Sequence, residues 1–135
     1  MTRLLIVLLF SACAAACGSD TSTSPSCTTS TALPVRSTEN FETALSHGDS
    51  SFYSFKATNA GTVTVTLTSV IAQGRLEALS TPLRIGLGTP AGEGCAVTDT
   101  VDTSPGLTTQ LTVSMSAGIH CVYVADIGQV SGTVI

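Results

Sequence analysis

Two histidines, nine carboxylates and five cysteines are the residues of this 135-residue chain best equipped for chemistry. A hydrolytic centre needs a nucleophile, a base and an acid that orients the base. Spacing offers two His/Asp associations, His47-Gly48-Asp49 and His120 with Asp126, and neither adjoins a Gly-x-Ser-x-Gly turn that would expose a serine. Ser and Thr together number 39, so a hydroxyl near a histidine is expected by chance. His47 therefore reads as a loop residue, His120 as a packed strand residue, and no catalytic residue is assigned. A hard cation wants several oxygen ligands, yet two residues beyond Asp49 stands Ser51 rather than a second acid. Asp99 and Asp102 read as turn formers with solvated charges. His47, His120 and the cysteines give no tetrahedral zinc spacing. The glycines of Gly86-Leu87-Gly88-Thr89-Pro90-Ala91-Gly92-Glu93-Gly94 lack the spacing, the lysine and the following helix of a phosphate loop, and read as a flexible connection between strands. Neither a cofactor nor a metal site follows from these residues.

Charge narrows the partners further. Five Lys and Arg stand against nine Asp and Glu, a net charge of −4 with 10% of residues charged. So few cations cannot track a phosphate backbone, which excludes nucleic acid as an expected partner.

At the N-terminus one arginine, Arg3, precedes the apolar run Leu4–Phe10 and then the small residues Ser11 and Ala12. That order is a secretory signal, and the run is far below the roughly 20 apolar residues needed to span a bilayer. The stretch Ala14-Ala15-Ala16-Cys17-Gly18-Ser19 resembles the lipobox of bacterial lipoproteins, with Ala14 where that motif usually carries Leu. The resemblance implies a diacylglyceryl thioether on Cys17 and a new N-terminus there. Phe10-Ser11-Ala12-Cys13 is a rival site, although cleavage before Cys13 would leave a signal shorter than the roughly 15–30 residues expected. A membrane lipid is then the first partner. Gly18, where an aspartate would signal inner-membrane retention in many Gram-negative bacteria, points to the outer membrane of the cell envelope. Residues 1–16 are thus expected to be a signal peptide and 17–38 a linker. Nine of the twelve residues from Thr21 to Ala32 are Ser or Thr, too polar to offset their ordering entropy, so a disordered tether is expected.

Residues 39–135 alternate strand patterns with turn signals. In Thr62–Thr68 strict alternation puts Val63, Val65 and Leu67 on one face and four threonines on the other. Phe52–Ala57 places Tyr53, Phe55 and Ala57 inward, and Asn59-Ala60-Gly61 supplies a turn, which predicts a hairpin between the two runs. Leu83, Ile85 and Leu87, and later Leu111, Val113 and Met115, repeat the period-two pattern. Ile119–Val124 is apolar on both faces and reads as a central or covered strand. Residues 70–80 are the one place for a short helix. The expected core is Tyr53, Phe55, Val63, Val65, Leu67, Leu83, Ile85, Leu87, Leu111, Val113, Val122 and Val124. Strands with one apolar face each need a second sheet to cover them, so the fold class is all-β, an antiparallel β-sandwich. The chain stops at Gly132-Thr133-Val134-Ile135, an apolar run barely entered, from which a truncated closing strand is expected.

The segments Gly48–Phe55, Ala60–Val65, Leu83–Leu87 and Ala117–Asp126 together resemble the bacterial pre-peptidase C-terminal domain, over about residues 45–130. That resemblance implies a jelly-roll-like sandwich attached to secreted peptidases and surface proteins, with His120, Val122 and Val124 facing the core. Some members of that family bind calcium through acidic loops.

With Cys13 in the signal and Cys17 under lipid, Cys27, Cys95 and Cys121 meet an oxidising compartment. Cys95 and Cys121 lie in the folded domain and Cys27 in the tether, so the first two are expected to pair. No Cys-x-x-Cys spacing is present, which makes the bond structural. Two function classes remain. One is a membrane-anchored, non-catalytic binding or spacer module whose partner is an envelope protein or a polysaccharide. The other is a small secreted hydrolase or metal-dependent enzyme.

Overall fold

A computed structural model describes residues 36–135. The expected signal peptide, most of the expected tether, and Cys13, Cys17 and Cys27 lie outside the described residues. Six strands follow in order: β1 Ser50–Ala57, β2 Gly61–Val65, β3 Leu83–Ala91, β4 Gly94–Thr103, β5 Leu111–Met115 and β6 Gly118–Asp126. They build one four-stranded antiparallel sheet, β1-β6-β3-β4, and one two-stranded antiparallel sheet, β2-β5. The two sheets form an all-β sandwich, and the described residues contain no helix.

The expected hairpin between residues 52–57 and 62–68 does not form. β1 pairs with β6, from Ser50 opposite Ala125 to Ala57 opposite Gly118, while β2 pairs with β5, with Val63 opposite Val113. The one-faced apolar pattern of β2 explains the switch: its valines are needed to cover the larger sheet, so the Thr58–Ala60 bend carries the chain across to the second layer. β6 has the apolar residues on both faces that a central strand requires, and it sits between β1 and β3.

Register sorts the larger sheet into two faces. Inward point Ser51, Tyr53 and Phe55 of β1, His120, Val122, Val124 and Asp126 of β6, and Leu83, Ile85 and Leu87 of β3. Outward point Ser50, Phe52, Ser54 and Lys56 of β1, with Phe52 opposite Tyr123. Leu83, Ile85, Leu87, Val122 and Val124 are buried as expected, and Val65 and Leu111 of the second sheet, with Leu67 just beyond β2, pack against the core. Phe55, Val63 and Val113 are half-buried. Tyr53 departs from the expectation: it is 41% exposed, because Phe41 rather than the second sheet covers it, the two rings stacking with centroids 5.5 Å apart.

Four buried residues, Leu45, Val70, Val130 and Val134, fill the core from outside the six strands. Two of them, Leu45 and Val134, meet at the chain's last residues. Leu45 and Val134 exchange both backbone hydrogen bonds at 2.9 Å, while Ile71 and Ile135 exchange theirs at 2.7 and 2.8 Å. Residues 133–135 are therefore hydrogen-bonded on both sides, to the segment before β1 and to the segment after β2. This role also explains why residues 70–80 are not the short helix expected. Ile71 is held extended by Ile135, and the chain then turns through Gly74 at φ 79° to bring Ala78 back beside Ile71.

Residues 86–94, expected to be a flexible connection, instead complete the β3-β4 hairpin, which turns at Gly92-Glu93 with Gly92 at φ 59°. A bulge at Leu87/Gly88 folds the start of β4 over β3. A Cβ at Gly88 would collide with the Ala96 carbonyl and lie 2.7 Å from Val97 Cα, and one at Gly86 would lie 2.6 Å from Val97 Cγ1. Missing side chains at these two positions let β4 approach, and Cys95 then reaches across β3 to Cys121 of β6. The two are joined in a disulfide with Cα atoms 6.0 Å apart. Chain entropy assigns about 3.5 kcal/mol to closing a loop of this size.

Candidate functional site

β6 ends at Asp126, and strand alternation turns that carboxylate inward at the rim of the core, where its side chain has 0% exposure. An ionised group is tolerated there only if its oxygens are satisfied. Oδ1 accepts from the backbone N–H of Gln129 at 2.9 Å and of Val130 at 3.0 Å, and Oδ2 accepts from Gly48 N–H at 2.8 Å. The Gly48 hydrogen bond is the largest influence holding Asp126 down at about 2, burial opposes it, and the Val130 and Gln129 bonds and the nearby His47 add to it. Asp126 also donates its own N–H to Asp49 O at 2.9 Å.

His47 completes the cluster. Its Nδ1 lies 3.0 Å from Val130 O and 3.4 Å from Asp126 Oδ2. A carbonyl can only accept, so Nδ1 carries the proton and donates it, which leaves Nε2 as the free nitrogen on a side chain 70% exposed. The preceding turn is closed by Asp49, whose Oδ2 accepts from Ser46 N–H at 3.0 Å while its own N–H donates to Ser46 O at 3.0 Å. Ser46 Oγ pairs with Thr133 Oγ1 at 3.2 Å, not with the imidazole. The arrangement is an oriented imidazole backed by a carboxylate, half of an acid–base apparatus, and its adjacent hydroxyl is occupied elsewhere. Its evident work is to tie the 46–49 turn and the 126–130 turn to the end of β6.

The His/Asp associations read from spacing are thus corrected. His120 and Asp126 share a face of β6 but lie six residues apart, about 20 Å along a strand, and Asp126 partners His47 instead. His120 is packed as expected, 6% exposed, with Nε2 2.8 Å from Ser116 O and its ring tilted against Phe55 at 5.9 Å. Its Nδ1 is buried without a hydrogen-bond partner among the described residues. Asp99 and Asp102 are not turn formers; both lie in β4. Asp102 grips Arg84 through Nε at 2.6 Å and Nη2 at 2.8 Å on the outer face. That pairing lowers the Asp102 pKa and raises that of Arg84. Asp99 accepts from Thr98 Oγ1 at 2.8 Å. Asp49, weighed as a cation ligand beside Ser51, spends its carboxylate on its own turn, and among the described residues no three His, Cys, Asp or Glu side chains gather as a metal site. Tyr53 has its phenol pKa raised by a hydrogen bond to Glu39 and by that residue's charge. No family model matches this chain, and no curated protein or solved structure proved similar to it.

Proposed function

We propose that this chain is an exported, lipid-anchored protein of the bacterial cell envelope whose β-sandwich is a non-catalytic binding or spacer module. The observation that supports this most is the Cys95–Cys121 disulfide, since such bonds persist in oxidising compartments. That is where a leader of the Arg3–Phe10 type directs a chain. The polar cluster around Asp126 supports a scaffold role, because both oxygens of the carboxylate accept from backbone N–H groups of the turns it joins. Metabolic labelling with palmitate in a bacterial host tests the anchor. Label and membrane association should vanish in Cys17→Ser; persistence there with loss in Cys13→Ser moves the site. An unlabelled protein freely released from the envelope overturns the anchor altogether.

A hydrolytic reading is favoured by one observation, the exposed and carboxylate-backed imidazole of His47. Turnover of ester or peptide substrates that disappears in His47→Ala would replace the non-catalytic reading.

A further inference from the structure

Three of the chain's six aromatic residues, Phe41, Phe52 and Tyr53, are 38–41% exposed and all lie on or against β1. β1 is an edge strand: one side pairs with β6, and among the described residues its other side has no backbone partner. Its eight residues contain no proline and no bulge, and Lys56 is its one charge. Edges of this kind are normally blunted, because their free N–H and C=O groups template another strand.

The side chains say which strand fits. In Ser50-Ser51-Phe52-Tyr53-Ser54-Phe55-Lys56, a two-fold axis through Tyr53 and normal to the sheet would place Ser50 opposite Lys56, Ser51 opposite Phe55 and Phe52 opposite Ser54. Phe52 and Phe55 then each meet a serine, one on the outer and one on the inner face, and Tyr53 meets its own copy on the axis, an aromatic pair of the kind that stabilises an antiparallel ladder. Paired residues keep the same face, as an antiparallel ladder requires. Moving the axis to Phe52 loses this match, setting Phe55 against Asp49 and Lys56 against Gly48, both outside the strand.

The geometry points to a symmetric dimer in which β1 pairs antiparallel with β1 of a second copy about Tyr53, merging two four-stranded sheets into one of eight strands. An isologous contact of this kind closes on itself and leaves no free β1 edge. The proposal goes beyond the envelope-module reading and does not depend on lipid attachment.

The test uses the full chain with Cys13, Cys17 and Cys27 changed to Ser, so that Cys95–Cys121 is the remaining cysteine pair. In sedimentation velocity its mass should shift reversibly from one chain to two as concentration rises through the micromolar range. Register is then read by cross-linking. Directly opposed Cα atoms of an antiparallel pair lie about 4.5–5.5 Å apart, within disulfide reach. Ser50→Cys combined with Lys56→Cys should therefore give, under mild oxidation, about tenfold more covalent dimer than either single variant. In a single variant the two thiols sit about 20 Å apart across the axis. A parent chain that stays monomeric throughout, a double variant that fails to cross-link, or single variants that cross-link equally well each overturns the proposal. Monomers that pair β1 with a foreign strand instead would overturn it too.

Discussion

Three backbone N–H groups converge on one buried carboxylate, so the behaviour of Asp126 follows from what it accepts rather than from its charge alone. Its folded pKa is about 2, against roughly 3.9 for an unfolded aspartate. The unfolded chain therefore takes up the proton first as pH falls. Stability contributed by this group is complete above pH about 5 and is lost as pH drops toward 2. Asp126→Asn should lower the melting temperature at neutral pH, and the gap between variant and parent should narrow from pH 4 to pH 2. A gap that stays constant over that range in thermal melts would mean that ionised Asp126 is not what holds the two turns. Asp102→Asn, on an exposed ion pair of the outer face, should move the melting temperature far less. The His47–Asp126 partnership was not legible from sequence, because 83 residues separate His47 from Val130, the carbonyl that fixes its ring. Spacing drew attention to His120 instead, since local pattern cannot report a contact that the path of the chain creates.

Among the elements, β3 and β4 show how much a missing side chain can decide. Gly88→Ala would drive a methyl group into the Ala96 backbone, and overpacking of this kind costs about 1–3 kcal/mol. Urea denaturation should show that loss, and slower formation of the Cys95–Cys121 bond should accompany it; a variant of parental stability would mean that β4 can rise off β3 freely. Ile85→Ala, from a site 2% exposed, should cost about 2–5 kcal/mol, whereas Ile119→Ala, 62% exposed, should stay within about 0.5 kcal/mol. Similar losses at the two sites would mean that the outer face of β6 is covered. Strand positions were legible because period-two patterns such as Val63, Val65 and Leu111, Val113 report a half-buried surface whatever it faces. Partners were not, since the short turn after β1 looks the same whether the next strand folds back or crosses to the other sheet. Leu45, Val70, Val130 and Val134 stayed hidden for a related reason: their burial comes from the way the chain end is gripped, not from local periodicity.

For the molecule as a whole, the disulfide was legible as a consequence of domain membership, whereas its path over Gly88 was not. Replacing both Cys95 and Cys121 by Ala should reduce unfolding free energy by about 3.5 kcal/mol in denaturant; a negligible loss would mean that the sheet already holds β4 against β6 unaided. The same bond also divides the surface into two kinds of cleavable site. Leu107, 92% exposed, lies between the two half-cystines, while Leu76, fully exposed, lies outside the loop they close. A limiting protease that cuts after leucine would leave two covalently joined pieces at Leu107, running as one band until a thiol reductant is added. A cut at Leu76 would give two separable fragments with or without reductant. Wherever proteases are abundant, a chain nicked at Leu107 would thus keep its β4–β6 link, whereas a cut at Leu76 would part the chain into two pieces that no covalent bond holds together.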